Sequence, residues 1–362
     1  MPVARCVAVV LAVVSAALGI TLGDARAVTV APELHQVRAA EVLTTSMGRS
    51  DSGPDGSVRF GYPGVSFFLD FEGKMLSFDA VSSGTRSVLE VRVDDGEPRL
   101  VALSTATQQV VLISEAHSAR HHVEIMHRSE TWHGIVSIRD FSFDGVLAPG
   151  APLPQRKIMF LGDSVTCGEA IDRVEGGNKT SLWSNPRLSY GMLTGAELHA
   201  QVALVCYGGR GLVRTWDGKT DELNLPDFFQ LAIADPVNPV RWEHRRYDPD
   251  IIVSAIGTND FNGGIPERET YVNAYASMVR TLLSTHRHAQ IVLTEGAILE
   301  GEKKAALSAY LAETVARVAD ARVQVVQSQH YPGDANDAHP TRAQHAAMAR
   351  QLADQLRNIA HW

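Results

Sequence analysis

The sequence lacks any long run of basic residues, and its formal net charge is −8 at pH 7. A chain without a basic patch has no means of following the phosphates of a nucleic acid, so we predict no nucleic-acid partner. Solubility explains the mild acidity better than recognition does. Apolar material is plentiful, because 45% of the 362 residues are hydrophobic, which is enough for a sizeable core. A chain of this length weakly favours two domains.

Cysteine is scarce, with three residues in the chain. No set of cysteines and histidines has the spacing of a zinc site, so we predict no metal. The glycine-rich stretch 208–211 also lacks the Lys-Ser/Thr ending of a phosphate-binding loop. Cys167 and Cys206 lie outside the N-terminal segment described next. The sequence leaves open whether they form a disulfide or are two small buried side chains.

Long hydrophobic runs are also rare. The one run long enough to be weighed as a signal peptide or a membrane anchor lies at the N-terminus. Arg5 precedes the apolar stretch 6–22, and Ala25-Arg26-Ala27 then offers small residues at both positions that a signal peptidase reads. The alternative is a membrane anchor, but the run barely reaches the roughly 20 residues of a spanning helix. We predict that residues 1–27 are a cleaved signal peptide, and that the mature protein is secreted or periplasmic without a membrane partner.

Residues 28–150 show the alternating pattern of β-strands. Examples are the runs 65–71, 88–93, 110–113 and 122–126, and turn signals lie between such runs, for example Glu72-Gly73 after the first. A helical period of useful length is missing from this part of the sequence. Many short strands joined by regular turns predict a β-sandwich or jelly-roll domain.

Residues 151–362 follow a different pattern. A glycine- and proline-rich boundary at 145–156 precedes short apolar runs that alternate with amphipathic helical stretches. The apolar runs are 158–161, 202–205, 251–256, 291–293 and 323–326, and the clearest helical stretches are 271–284, 302–319 and 341–359. This alternation predicts an α/β fold in which helices flank both faces of a parallel sheet.

Four blocks of reactive or glycine-rich residues lie where a ligand crevice forms in such a sheet, just beyond the carboxyl ends of the strands. The blocks are centred on Ser164 in 162–168, Gly209 in 207–211, Asn259 in 257–260 and His339 in 336–340.

Acyl transfer needs the groups that these blocks supply. A serine hydroxyl is a weak nucleophile until a base takes its proton, and His339 is the best candidate base for Ser164. The backbone N–H groups of Ser164 and Gly209 and the side-chain amide of Asn259 are candidate donors to the oxyanion of the tetrahedral intermediate. These residues therefore predict a serine hydrolase.

Each block alone has a simpler explanation. Ser164 can belong to a common capped turn, and the glycines around Gly209 can form a tight turn or a weak phosphate nest. Asn259 and Asp260 can cap a helix, and His339 can be a surface histidine. The four blocks together, in order and each after a strand, favour a hydrolase site over these separate explanations.

With these blocks, residues 157–360 resemble the SGNH (GDSL) hydrolase family. The four residues that name the family match Ser164, Gly209, Asn259 and His339. The N-terminal part, with Ser46-Met47-Gly48-Arg49 and Phe71-Glu72-Gly73, is similar to the β-domain of carbohydrate esterase family two, the acetylxylan-esterase-like group. The resemblance implies a jelly roll joined to an SGNH domain, deacetylation of plant cell-wall polysaccharide, and no cofactor.

One position departs from the SGNH pattern. The family usually has its triad aspartate three residues before the histidine, where this chain has Asn336, and Asp337 lies two residues before His339. The changed spacing changes the direction of the carboxylate. The resemblance to family two implies an alternative, in which a backbone carbonyl of this loop orients the histidine ring. Asp337 and a carbonyl therefore both stay candidates.

The sequence thus predicts a secreted serine esterase acting on acetylated polysaccharide such as xylan or mannan. Esterases for lipid or peptidoglycan, and a carbohydrate-binding protein with a decayed site, stay as alternatives. The low aromatic content, 7%, disfavours long-chain lipids. Trp132, Trp183 and Trp216 are candidate platforms for sugar rings, although burial is the commoner fate of tryptophan. The sequence does not give the oligomeric state.

Overall fold

The computed structural model describes residues 34–362, which form one compact unit. The predicted signal peptide lies outside the described residues. Of the helices in the described part, none is long and apolar enough to cross a membrane.

The first ten strands of the described chain pair with one another in antiparallel fashion. They are β1 (His35–Arg38), β2 (Ser46–Met47), β3 (Asp51–Ser52), β4 (Val58–Phe60), β5 (Ser66–Ser82), β6 (Val88–Val93), β7 (Arg99–Ala102), β8 (Gln108–His127), β9 (Val136–Phe143) and β10 (Val146–Pro149). Their order is β3-β4-β9-β5-β8-β6-β7, with β1 on β9 and both β2 and β10 on β5. A short helix, α1 (Ala39–Val42), follows β1.

The longest strands, β5 and β8, pair through most of their length and bend on the way. The pairing changes register next to Gly73, which we predicted to lie in a turn. A Cβ atom at Gly73 would lie 2.3 Å from the carbonyl oxygen of Asp144, so glycine is required where the strand continues through this bend. The runs 110–113 and 122–126, predicted as separate strands, are likewise parts of β8. The antiparallel strands at residues 35–149, where we predicted a β-sandwich, are called the β-sandwich part below, and residues 156–362 are called the parallel-sheet part.

The later strands belong mainly to a second sheet. They are β11 (Arg156–Gly162), β12 (Ala200–Cys206), β13 (Leu231–Ile233), β14 (Val240–Arg241), β15 (Ile251–Ala255), β16 (Gln290–Leu293) and β17 (Val323–Val325). Five of them form a parallel sheet in the order β12-β11-β15-β16-β17, and β13 pairs with β14. The helices of this part are α2 (Ser164–Cys167), α3 (Tyr190–Glu197), α4 (Leu225–Phe228), α5 (Arg268–Thr285), α6 (Gly301–Val318) and α7 (Arg342–Ala360).

Helices cover both faces of the parallel sheet, as predicted. Side chains alternate along β11, so Ile158 and Phe160 pack in one core with α3 and α7, whereas Met159 and Leu161 pack in another with α5 and α6. Every residue of β15 is buried, as expected for a strand covered on both sides. The predicted α/β fold class is confirmed.

The strand order also creates the crevice. β11 has β12 on one side and β15 on the other, so the direction of the connections reverses at β11. In a parallel sheet this reversal opens a cleft at the carboxyl ends of the strands. The segments that follow β11, β12 and β15 carry three of the four predicted blocks.

Arg49 fastens the β-sandwich to the parallel-sheet part. Its side chain is among the largest that are fully buried, yet its partners are not carboxylates. The guanidinium donates hydrogen bonds to the carbonyl oxygens of Phe229 (2.6 Å) and Leu231 (2.9 Å). It also lies over the rings of Phe229 and Trp242. Burial lowers the pKa of Arg49 to about 10, which still leaves it protonated at neutral pH.

Charged side chains make a second link between the two parts. Arg128 of the β-sandwich part donates to Glu90 at 2.7 Å and also to Asp172 of the parallel-sheet part. Arg187, which precedes α3, donates to the other oxygen of Glu90 at 2.5 Å. Glu90 is 2% exposed, so this pairing stabilises a carboxylate that would be costly to bury alone.

We predict that Arg49→Ala lowers the free energy of unfolding by about 3–5 kcal/mol, because it leaves two buried carbonyl groups unpaired and a cavity between two rings. Urea unfolding of the whole chain measures the difference. The matched control is Arg245→Ala, whose side chain is 85% exposed and pairs with the adjacent Glu243. A surface change of that kind shifts stability by about 0.5 kcal/mol or less. An Arg49→Ala protein as stable as the control would contradict this role.

Candidate active site

Ser164 lies at a sharp turn from strand to helix. β11 ends at Gly162 and α2 begins at Ser164. Asp163 between them caps the helix, because its carboxylate accepts the N–H of Val165 at 3.0 Å. A Cβ at Gly162 would lie 2.1 Å from the hydroxyl oxygen of Thr166, so glycine permits the close turn. Ser164 is thereby held at the carboxyl edge of the sheet, half-buried.

His339 lies opposite Ser164, in the loop before α7. Its Nε2 is 2.8 Å from the Oγ of Ser164, and its Nδ1 is 2.5 Å from Oδ1 of Asp337. The same Asp337 oxygen accepts the backbone N–H of His339 at 2.9 Å. Of the two candidate orienting groups, the structure thus places the carboxylate of Asp337 against the ring. An ionised carboxylate only accepts hydrogen bonds, so Nδ1 carries the proton and Nε2 is left to accept the proton of Ser164.

Arg173 holds the loop that carries Asp337 and His339. Its guanidinium donates to the carbonyl oxygens of Asp337 (2.6 Å), His339 (2.5 Å) and Pro340 (2.9 Å). These carbonyl groups are therefore turned towards Arg173 and away from the imidazole ring. Asn336, at the usual position of the SGNH aspartate, instead accepts the N–H of Gly176 through its side chain at 3.1 Å. Asp337 reaches the ring from only two residues before His339 because its side chain folds back over its own loop.

Lys179 supports the second oxygen of Asp337. Its Nζ lies 3.0 Å from Asp337 Oδ2 and 2.9 Å from a carboxylate oxygen of Glu169. Partial burial opposes ionisation of Asp337, but hydrogen bonds from His339 and Lys179 outweigh it and hold the pKa of Asp337 well below its usual range. Asp337 is therefore an anion at neutral pH, suited to orient the imidazole and to stabilise its protonated form.

Gly209 and Asn259 lie on the other side of Ser164. Gly209 follows β12 with a φ of 77°, a conformation that favours glycine. Asn259 follows β15, and its side-chain nitrogen donates to the carbonyl of Arg210 at 2.7 Å. This bond fixes the amide and leaves its second N–H for a ligand. Gly209, Asn259, Ser164 and His339 line one open cavity of about 770 Å³, so the structure brings the four predicted blocks together.

Asp260 does not cap a helix, which was its simpler explanation. It is buried, and its carboxylate accepts the backbone N–H groups of Leu212 (2.8 Å), Val213 (2.8 Å) and Arg214 (3.2 Å). Asp260 therefore ties the segment after Gly209 to the segment that carries Asn259.

Cys167 and Cys206 form a disulfide, which resolves the alternative that the sequence left open. Cys167 ends α2 and Cys206 ends β12, and both are fully buried. The bond therefore joins the helix that begins with Ser164 to the strand that leads into Gly209.

The three tryptophans considered as sugar platforms have different environments. Trp183 is 5% exposed and lies in the interior. Trp132 and Trp216 are 44% and 58% exposed and line the same cavity as Ser164. Trp132 comes from the β-sandwich part, so both parts of the chain form the cavity wall.

Sequence reasoning missed Arg173, Lys179 and the buried acid Glu130, which also lines the cavity. Arg173 and Lys179 belong to a loop between α2 and α3 that has no recognisable motif. Glu130 lies in the connection between β8 and β9, far from the predicted blocks. A glutamate between Ser129 and Thr131 carries no local signal of burial, so the sequence offered nothing to distinguish it.

Two protein-family models match successive stretches of the chain. The model "Carbohydrate esterase 2 N-terminal" matches residues 46–152. The model "GDSL-like Lipase/Acylhydrolase family" matches residues 160–361.

Proteins of similar sequence include esterases. An acetylxylan esterase / glucomannan deacetylase of Cellvibrio japonicus is 52% identical over 329 residues, which cover 91% of this chain and 92% of that protein. The cellulase/esterase CelE of Acetivibrio thermocellus is 27% identical, over 87% of this chain and 39% of that protein.

Solved structures show the same likeness. A family two carbohydrate esterase from Cellvibrio japonicus superposes with a TM-score of 0.90 at 51% identity, covering 92% of this chain and 99% of that one. A family two carbohydrate esterase from Clostridium thermocellum, in complex with cellohexaose, has a TM-score of 0.80 at 26% identity, covering 88% and 99%.

We predict that Asp337→Ala lowers kcat on an acetyl ester by about 10²–10⁴-fold, because the ring of His339 loses its orienting anion. The matched control is the neighbouring Asn336→Ala, which removes one hydrogen bond to Gly176 and is expected to change kcat by about 3-fold or less. Steady-state kinetics at neutral pH measure both. An Asp337→Ala enzyme with nearly unchanged kcat would mean that a backbone carbonyl orients the ring instead.

Replacing both Cys167 and Cys206 with alanine is expected to lower the free energy of unfolding by about 2–4 kcal/mol. It should also lower kcat by about 10-fold, because the helix of Ser164 and the segment of Gly209 are no longer tied together. Kinetics measured far below the melting temperature separate the two effects. Unchanged kcat in the folded double variant would limit the disulfide to a stabilising role.

Proposed function

Because the chain belongs to carbohydrate esterase family two and carries a GDSL-type acylhydrolase part, as its motifs predicted, we propose that it removes O-acetyl groups from cell-wall polysaccharides such as acetylated xylan and mannan. Its class as a carboxylic ester hydrolase follows from the family. The observation that carries the proposal is the hydrogen-bonded series Ser164–His339–Asp337 at the edge of an open cavity.

Acylation begins when the Oγ of Ser164 attacks the carbonyl carbon of the acetyl group. His339 Nε2 accepts the serine proton, and Asp337 holds the opposite nitrogen and stabilises the imidazolium. The oxyanion accepts hydrogen bonds from Ser164 N–H, Gly209 N–H and the Asn259 amide, donors whose positions are fixed before the reaction. The bond between the acetyl carbon and the sugar oxygen then breaks, and His339 returns its proton to that oxygen.

Deacylation repeats these steps with water. His339, neutral again, accepts a proton from a water molecule as its oxygen attacks the acetyl carbon on Ser164. The same donors stabilise the second oxyanion. The ester bond to Ser164 breaks, the serine oxygen regains its proton from His339, and acetate leaves.

The walls of the cavity favour a sugar over a fatty acyl chain. Trp132 and Trp216 expose flat apolar faces, which suit the faces of pyranose rings. Charged side chains line much of the remaining wall, among them Lys179, Arg210 and Glu222. A long acyl chain would desolvate these groups without pairing them, which is costly. The likeness to the Cellvibrio japonicus acetylxylan esterase / glucomannan deacetylase supports the acetyl substrate further.

We also propose that the protein is exported, as its N-terminal sequence predicts. Support comes from the Cys167–Cys206 disulfide, because disulfides form and persist in oxidising compartments.

The test is acetate release from acetylated xylan and acetylated mannan by the wild-type protein and by Ser164→Ala. We expect Ser164→Ala to lose at least about 10³-fold in kcat. The matched control is Ser277→Ala on the exposed face of α5, which should retain wild-type activity. Undiminished hydrolysis by Ser164→Ala would refute the mechanism. Faster cleavage of long-chain esters or acetylated peptidoglycan than of both glycans would refute the substrate.

A further inference from the structure

Glu130 belongs to the β-sandwich part, yet its carboxyl group is buried in the wall of the active-site cavity. Glu130 is 1% exposed and lies between β8 and β9, directly before the short 3₁₀ turn Thr131–His133. One oxygen, Oε2, accepts the N–H of Gly208 at 3.2 Å and that of Thr131 at 3.3 Å. The other, Oε1, is buried and has no hydrogen-bond partner among the described residues. The acyl-transfer steps above do not use this acid.

The neighbouring residue holds the same segment from its other end. The hydroxyl of Thr131 donates to the carbonyl oxygen of Cys206 at 2.7 Å. Glu130 and Thr131 thus bind the carbonyl of Cys206 and the N–H of Gly208, two groups on either side of Tyr207. The next residue along the chain is Gly209, whose N–H is a proposed oxyanion donor.

Packing at Gly208 shows how closely the carboxyl group supports this segment. A Cβ atom on Gly208 would lie 3.0–3.1 Å from the carboxyl atoms of Glu130, tighter than ordinary contact. The backbone of the oxyanion segment therefore rests directly on the Glu130 carboxyl group. Any side chain at position 208 would push the two apart.

We propose that Glu130 is a positioning residue of the esterase: with Thr131, it fixes the segment 206–208 of the parallel-sheet part so that the N–H of Gly209 faces the oxyanion. The proposal rests on the proposed esterase function and deepens it. It makes the β-sandwich part a component of the catalytic centre in addition to any role in holding polysaccharide.

The charge of Glu130 matters because it lies beside the site where an oxyanion forms. Burial raises the pKa of Glu130 well above its usual value, and the neighbouring carboxylate of Glu169 raises it further, as Asp163 does to a smaller extent. Glu169 itself pairs with Lys179 at 2.9 Å. A neutral Glu130 supports the segment without repelling the oxyanion, whereas its ionised form would oppose the transition state.

Three variants test the proposal through steady-state kinetics on an acetyl ester. Glu130→Ala should lower kcat by about 10–100-fold and change KM by about 3-fold or less, because an oxyanion donor acts mainly in the transition state. Glu130→Gln should stay within about 3-fold of wild-type kcat at neutral pH, because its amide oxygen accepts the same N–H groups. Thr131→Val, which keeps the shape but not the hydroxyl, should lower kcat about 10-fold.

The pH profile supplies a readout that a purely structural role would not change. Because the pKa of Glu130 is raised well above its usual value, wild-type kcat should fall as rising pH ionises Glu130 beside the oxyanion, whereas Glu130→Gln should lack that fall. The other titratable groups around this position are Glu169, Asp163, Lys179, Tyr207 and His133. They are present in both proteins, so a fall that is seen in the wild-type profile and is missing from Glu130→Gln requires the Glu130 carboxyl group.

The control is Glu72→Ala, a change of an exposed glutamate of the β-sandwich that pairs with Arg120 on the surface and should leave kcat unchanged. Wild-type kcat in folded Glu130→Ala would overturn the proposal, as would a Glu130→Gln enzyme as impaired as Glu130→Ala. If Glu130→Ala does not fold, unchanged kcat in Thr131→Val overturns it. Failure of the esterase proposal is distinct, since it would show as activity in Ser164→Ala or as an inactive wild-type protein.

Discussion

The hydrogen bond between Ser164 Oγ and His339 Nε2 joins groups 175 residues apart in sequence, and much of the structure serves to hold it at 2.8 Å. On the serine side, the end of β11, the Asp163 cap and the Cys167–Cys206 disulfide fix the nucleophile. On the histidine side, Arg173 donates hydrogen bonds to three carbonyl groups of the loop. The Asp337 carboxylate then faces the ring. Because a nucleophile and its base must meet within hydrogen-bond distance, each of these supports acts on the reaction through geometry.

Buried charged and polar groups connect the β-sandwich to the catalytic part. Arg49 carries its charge into the interior, where carbonyl oxygens and aromatic rings take the place of a carboxylate. Glu90 is surrounded by arginines from both parts, and Glu130 packs against the backbone beside Gly209. Such groups are costly to bury unless every partner is in place, so they fix one relative arrangement of the two parts. A cavity wall built from both parts requires that precision.

The sequence predicted features with a local signal and missed those that depend on distant contacts. Alternating apolar strands and amphipathic helices revealed the parallel sheet, and the four blocks revealed Ser164, Gly209, Asn259 and His339. The direction of Asp337 depends on Arg173, far away in the chain, so spacing alone left it undecided. Gly73 looked like a turn because glycine permits turns, but tertiary packing against Asp144 uses it to bend a continuous strand. Glu130 had no local signal, because its burial results from docking against the other part.

The central claim is that Ser164 is the activated nucleophile, and covalent labelling tests it most directly. The protein is treated with a fluorophosphonate, which phosphonylates activated serines, and the peptides are then analysed by mass spectrometry while acetate release is followed. The account predicts one label per chain, on Ser164, with activity lost in proportion to labelling and with little labelling when His339 is replaced by alanine. Activity that persists in fully labelled protein, or inactivation that follows a label on another serine, would contradict it.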